Sequence, residues 1–209
     1  MPPKAKFSKE EIVEAALDIA RRKGIEAVTA REIGASLKVS TRPIFTYYST
    51  MDEVKLDVAE AAKRIYEGYI TRGLGMPVPF LGVGVQFIQF AKSEPELYRL
   101  LFLTGFGENN ISLADESLRS MQELSRKSIM ETYAMDAYTA DCYCRDMWIV
   151  GNSLAALIVT GGNAIKDEDI PRTLSSFSLS LCKAYKEIPG FATGDYDKNE
   201  QFRKVVEGR

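Results

Sequence analysis

Histidine is absent from this 209-residue chain. That removes imidazole bases, Ser-His and Cys-His catalytic pairs, and Cys/His zinc fingers. Cysteine is scarce: Cys142, Cys144 and Cys182 cannot all pair with one another and fall far short of a disulfide framework, so a reducing, cytoplasmic setting is expected. There is no P-loop, no G-x-G-x-x-G after a strand-like run and no G-x-S-x-G. The Gly-rich piece LGVGVQF, around Gly82 and Gly84, has too few glycines for a phosphate loop. An enzyme would have to rely on carboxylates, Lys, Tyr or Cys, and the sequence predicts no catalytic site, metal or cofactor. The opening MPPKAKFSKEE lacks the apolar core of a secretory signal, so nothing there marks the chain for export.

Long apolar runs are nearly absent too. Residues 148–165 carry no charge, yet they include Asn152, Ser153, Thr160 and Asn163 and fall short of the roughly 20 apolar residues a bilayer requires. A helix buried on nearly all sides, by its own fold and by a second subunit, accounts for the run better than a membrane span.

What the chain does have is an ordinary globular composition, 45% hydrophobic and 27% charged. Its net charge of −2 is unevenly spread: residues 1–50 hold nine Lys/Arg (4, 6, 9, 21, 22, 23, 31, 38, 42) against six acids, so the head stands at +3 and the remaining 159 residues at −5. A basic head on an acidic body orients a molecule toward a polyanion, although an excess of three also falls within surface scatter.

Apolar residues recur at three and four throughout, with no period-two stretches, so the chain reads as all-α with about nine helices. Ser8 with Glu11, Thr29 with Glu32 and Thr50 with Glu53 are capping boxes opening helices at 9, 30 and 51. Ser40 is read as capping a helix of about eight residues with Ile44, Phe45 and Tyr48 inward. Further helices are expected near 80–93, 95–102, 112–133, 138–164 and 171–187, separated by GLGMPVP, the loop TGFGENN and KDED, with a loosely held tail after Pro189.

Two short helices joined at Lys38 and Val39, supported by a first helix, have the plan of a helix-turn-helix. Its outer face would carry Arg42, Pro43 and Thr46, with Tyr47 on the flank. Arg42 can donate a bidentate pair to guanine, Thr41 offers a methyl and a hydroxyl, and Tyr47 can reach phosphate. A helical hairpin packed on the body has the same pattern.

The segment GIEAVTAREIGASLKVSTRPIFTYYSTMDEV resembles the N-terminal domain of the TetR family of one-component transcriptional regulators, closely over residues 8–60. Weaker similarity lies in PELYRLLF (95–102) and in WIVGNSLAAL (148–157). The latter is similar to the tryptophan-centred helix of one C-terminal subclass, in which a His-Gly pair is usual where Asn152 and Ser153 stand here. The resemblance implies that Thr41, Arg42 and Pro43 face bases, that Arg31 approaches the groove, and that Ser40 and Tyr47 hold phosphates, with Thr29, Lys38 and Thr46 in the same surface. Three positions depart from the family pattern. Lys38 replaces a usual Gly, at a cost on the order of 1 kcal/mol if left-handed. Gly34 replaces Ala, and Met51 stands where a phosphate-contacting Lys is common.

The same resemblance implies residues 1–50 as the DNA-binding domain and 51–209 as a larger dimerising, ligand-sensing bundle. Pocket candidates are Tyr66, Phe87, Phe90, Tyr98, Phe102, Met121, Met130 and Trp148, which would suit a small apolar or aromatic effector, although such a stripe is also ordinary core. Gly151 and Ala155 in one helix, with Ser175, Ser178 and Cys182 in the last long one, offer narrow ridges for a symmetric four-helix homodimer interface. The implied partners are double-stranded DNA, a second copy and an unidentified effector, with no membrane; repression is the family's usual habit. A thiol redox sensor, or a helical scaffold or enzyme that keeps but does not use its helix-turn-helix, are the other readings.

Overall fold

One of the predicted capping boxes, at Ser8, closes reciprocally, while at Thr29 and Thr50 the side chain caps the amide three residues on. Ser8 Oγ accepts from the Glu11 amide at 3.2 Å while the Glu11 carboxylate accepts from Ser8 N at 2.7 Å. Thr29 and Thr50 accept from the Glu32 and Glu53 amides at 3.2 and 3.3 Å, and the Glu53 carboxylate accepts from Ser49 N. These caps open α1 (Lys9–Lys23), α2 (Ala30–Leu37) and α4 (Met51–Leu74), with α3 (Ile44–Tyr47) between the last two. The computed structural model describes residues 7–105, 112–162 and 165–208; Lys4, Lys6, most of TGFGENN and Asn163 lie outside them.

The body follows as α5 (Pro79–Ser93), α6 (Pro95–Tyr98) running into a π turn (Arg99–Leu103), α7 (Ala114–Tyr133), α8 (Ala137–Val159), α9 (Ile170–Glu187) and α10 (Lys198–Glu207). The described residues form an all-α fold without strands. Helix α8 ends five residues before the expected 164, because Thr160 Oγ1 bonds back to the Ala156 carbonyl and Gly161 turns to φ +88°. The tail holds more helix than its composition suggested: Asp197 caps α10 by accepting from Glu200 N at 3.0 Å.

α4 and α5 cross in backbone contact. A Cβ on Gly82 would sit 2.3 Å from the Gly73 carbonyl oxygen, and one on Gly73 would sit 2.5 Å from Val83 N, so neither position has room for a side chain. That close crossing sets Phe87 and Phe90 of α5 against Tyr66 of α4, with ring centroids 6.0 and 5.6 Å apart. The π turn then adds Phe102, at 5.3 Å from Tyr66 and 5.4 Å from Phe87, and the Tyr98 hydroxyl donates to Asn152 Oδ1 at 2.7 Å, fastening α6 to α8.

α1 joins the head to the body. It packs on α4 and α6, and Arg21 grips Glu94, at the N-terminal edge of α6, with two guanidinium nitrogens, one at 2.8 Å.

The crossing gives a paired test by equilibrium urea unfolding. Gly73→Ala should destabilise by about 1–3 kcal/mol through overpacking. Gly68→Ala in the same helix, where a Cβ meets only the Arg72 side chain at 3.7 Å, should gain up to about 1 kcal/mol from helix propensity.

Candidate nucleic-acid interface

α2 ends in a Schellman-type turn. Lys38 is left-handed (φ 56°, ψ 44°), its amide bonds to the Ala35 carbonyl at 3.2 Å, and the Val39 amide bonds to the Gly34 carbonyl at 2.8 Å. This is the position where glycine carries no Cβ penalty, and lysine occupies it here. Gly34 explains the tightness of the turn, since a Cβ there would lie 2.9 Å from the Val39 carbonyl oxygen.

The helix after the turn is shorter than expected, and the expected Ser40 cap is not made. Thr41 to Pro43 wind tightly, with Ile44 N bonded to Thr41 O at 3.1 Å, and the α-helical residues start at Ile44. Of the expected inner face, Ile44 and Tyr48 are buried but Phe45 is half exposed. A single turn offers only one inward stripe; 44 and 48 fill it, and residue 45 lies about 100° away.

Thr29, Arg31, Lys38, Ser40, Thr41, Arg42, Thr46 and Tyr47 are all exposed, and Pro43 is half-buried. Thr29 is occupied as the α2 cap, Thr46 Oγ1 donates to the Arg42 carbonyl at 3.3 Å, and the Tyr47 hydroxyl donates to the Phe7 carbonyl at 2.9 Å. Met51 is half-buried in the first turn of α4.

Within residues 7–50 the cations divide in two. Lys9 pairs with Asp57, Arg21 with Glu94, Arg22 with Asp18 and Lys23 with Glu32. Among the described residues Arg31, Lys38 and Arg42 form no salt bridge, and they share the exposed helix-turn-helix surface. Exposed positive charge without an ion-pair partner on α2, on the turn after it and on the segment leading into α3 is what a polyphosphate backbone attracts.

Sequence reasoning missed the fixture behind this surface. Tyr48 donates to Asp57 Oδ2 at 2.7 Å, Lys9 Nζ lies 2.7 Å from the same oxygen and 5.1 Å over the Tyr48 ring, so α1, α3 and α4 meet at one carboxylate. Burial, reinforced by the bonded Asp57, raises the Tyr48 phenol and keeps it a donor. Burial pushes the Asp57 carboxyl up, but the bonds from Lys9 and Tyr48 outweigh it and leave it below its ordinary value. The signal available in the sequence was Asp57 two turns into a capped helix, with no way to know that it faced Tyr48.

Residues 12–58 match the family model for bacterial regulatory proteins of the tetR family, spanning α1 through the first turns of α4. These N-terminal helices are a tetR-family DNA-binding domain, the kind carried by regulators of transcription. No curated protein matches it.

In the body, Phe87, Met121 and Trp148 line a cavity of about 30 Å3 together with Gly151 and Ser178. Tyr66, Phe90, Tyr98 and Phe102 instead interlock beside it, and Met130 packs half-buried against the core. Of the expected interface residues only Ser175 is exposed. Gly151 faces Phe87, Ala155 is fully buried, Ser178 bonds Tyr143 and Cys182 is half-buried, because the narrow ridges are used for packing within the chain. The exposed apolar residues of α8 and α9 are Tyr138, Ile149, Leu157, Phe177 and Leu179. Cys142 and Cys144 are buried, and burial pushes the Cys144 thiol up to about 12, far from the thiolate that oxidants attack. No helix among the described residues is long and apolar enough to cross a membrane, and no group of three or more Cys, Asp or Glu among them is placed to hold a metal ion.

Asp57→Asn should cost about 1 kcal/mol at neutral pH, a figure reduced from that of a buried charged bond because the side chain is 34% exposed. A depressed carboxyl stabilises the fold above its unfolded value, near pH 4, and that contribution is lost as pH falls through the folded value. The gap between parent and variant, read by urea unfolding across pH, should therefore close in acid.

Proposed function

We propose that the chain is a ligand-responsive repressor that binds a near-palindromic operator as a homodimer and is released by a small apolar or aromatic effector. Residues 1–50 contact DNA, and residues 51–209 sense and dimerise. The observation that supports this reading is that, among the described cations of residues 7–50, the three that form no salt bridge, Arg31, Lys38 and Arg42, all lie exposed in the helix-turn-helix. Arg42 reads a base edge; Thr41 and Pro43 meet bases beside it; Arg31 and Lys38 approach the groove wall; Ser40, Tyr47, Thr29 and Thr46 hold the backbone.

Two copies would place α3 in successive major grooves about 34–36 Å apart. The exposed Ile149, Leu157, Phe177 and Leu179 support joining them through α8 and α9, the residue stripes left over after Gly151 and Ala155 have packed inside. The cavity would communicate with the head through α5: Phe87 lines it, α5 ends at Ser93, and the next residue, Glu94, is held by Arg21 of α1. An effector that binds better to a body whose α1 sits differently would shift the dimer away from operator spacing, by no more than its differential affinity.

Selection of bound duplexes from random DNA should return paired half-sites, and unpaired or unspaced output would contradict the dimeric reading. On the selected duplex Arg42→Ala should lose about 1–3 kcal/mol of affinity and relax preference at one base position. Full retention of affinity would remove the base-reading role. Phe177→Glu combined with Leu179→Glu should sediment at micromolar concentration as a 23.3 kDa monomer, where the parent sediments at twice that mass.

A further inference from the structure

The cavity between α5, α7, α8 and α9 is lined in part by Trp148. Trp148 is the sole tryptophan of the chain, and its Nε1–H is buried with no hydrogen-bond partner among the described residues. An indole N–H can only donate, and a buried donor without an acceptor is rare enough to call for an explanation. The rest of the lining is apolar: Phe87, Met121, Met147 and Leu174, with no Lys, Arg, Asp or Glu. Its hydroxyl, Ser178, is already engaged with the Tyr143 hydroxyl at 2.5 Å.

A single water would meet two polar groups in the wall, Trp148 Nε1–H and the Ser178 hydroxyl, the lower end of the about two to four partners that an ordered buried water takes. A charged ligand suits the site poorly, since nothing in the wall would compensate the charge. An apolar molecule with one acceptor atom satisfies both the wall and the donor. The site can also enlarge. At about 30 Å3 it is small, yet Met121 and Met147 are unbranched side chains that repack readily, and Gly151 carries no side chain of its own on the α8 wall.

We infer that this cavity binds an uncharged, mainly apolar molecule bearing one hydrogen-bond acceptor, such as a carbonyl oxygen, held by Trp148 Nε1–H. The inference rests on the ligand-sensing reading of the body and specifies the chemistry of its effector. Trp148 acts as the discriminating residue: it gives the acceptor a fixed point, while shape selection falls to Phe87, Leu174 and the methionines.

The single indole makes the test direct. The full-length protein, labelled with 15N, shows one indole N–H signal, which is followed during titration with cyclohexanone. Methylenecyclohexane has nearly the same shape with CH2 in place of oxygen, and cyclohexanecarboxylate adds a charge. Cyclohexanone should move the indole signal saturably, methylenecyclohexane should bind at least about tenfold more weakly, and the carboxylate should not bind. Trp148→Phe keeps an aromatic wall but removes the donor; by thermal shift it should lower cyclohexanone affinity about tenfold and leave methylenecyclohexane unchanged. Equal affinity of the ketone and the alkene, saturable binding of the carboxylate, or no saturable movement with cyclohexanone would overturn the assignment. Release of the selected operator duplex is measured in the same titration. An indole shift without release supports the cavity assignment and removes the effector reading, whereas release with an unmoved indole overturns the cavity assignment and supports the effector reading.

Discussion

The architecture depends on how closely α4 and α5 approach. Gly73 and Gly82 bring two backbones together at a distance no other residue pair permits, and from that crossing both ends of the molecule are positioned. Toward the body, α5 is pressed near enough to α4 for Tyr66, Phe87 and Phe102 to meet edge to face, which closes one side of the cavity. Toward the head, α4 begins at Met51, three residues after Tyr48, so the helix fixed by the crossing is also the one whose Asp57 holds the short helix. Rings in these orientations fit one another with little freedom to slide, so a displacement of α5 is passed on rather than absorbed.

The head combines rigidity and exposure. A one-turn helix buries too little to hold itself, and α3 has only Ile44 and Tyr48 inside. It is held from outside: by the left-handed Lys38 turn on one side and by the Asp57 carboxylate on the other. Lysine at a left-handed position is a local strain of the kind tolerated where a side chain has other work, and its ammonium extends from the turn into solvent. The cations of α1 are paired within the chain, whereas Arg31, Lys38 and Arg42 form no salt bridge among the described residues.

Much of this was legible in the sequence because it is local. The N-caps at Ser8, Thr29 and Thr50 rest on contacts three residues apart, and the all-α class rests on a period of three to four, so both were readable, although only the Ser8 cap completes a box. The plan of a helix-turn-helix was readable from the spacing of its apolar residues and its turn, and the resemblance to a known family separated it from a plain helical hairpin. What was not readable depends on contacts far apart in the chain. Phe45 looked like an inward residue because its helix was taken as two turns long. Gly151 and Ala155 suggested an interface because a small-residue ridge is the same whether the neighbour is α5 of the same chain or another molecule. The α10 helix was masked by a polar composition, and the Asp57 junction joins residues whose partnership has no local signature.

The bond from Tyr47 to the Phe7 carbonyl changes what that tyrosine can report. A phenol has one proton to give, so Tyr47 cannot serve the Phe7 carbonyl and a DNA phosphate at once. Engaging a phosphate would free the Phe7 carbonyl and untie the segment leading into α1. A tyrosine removed at 47 would therefore register a swap of acceptors, not the worth of one contact, and docking would be accompanied by loosening at the chain's beginning.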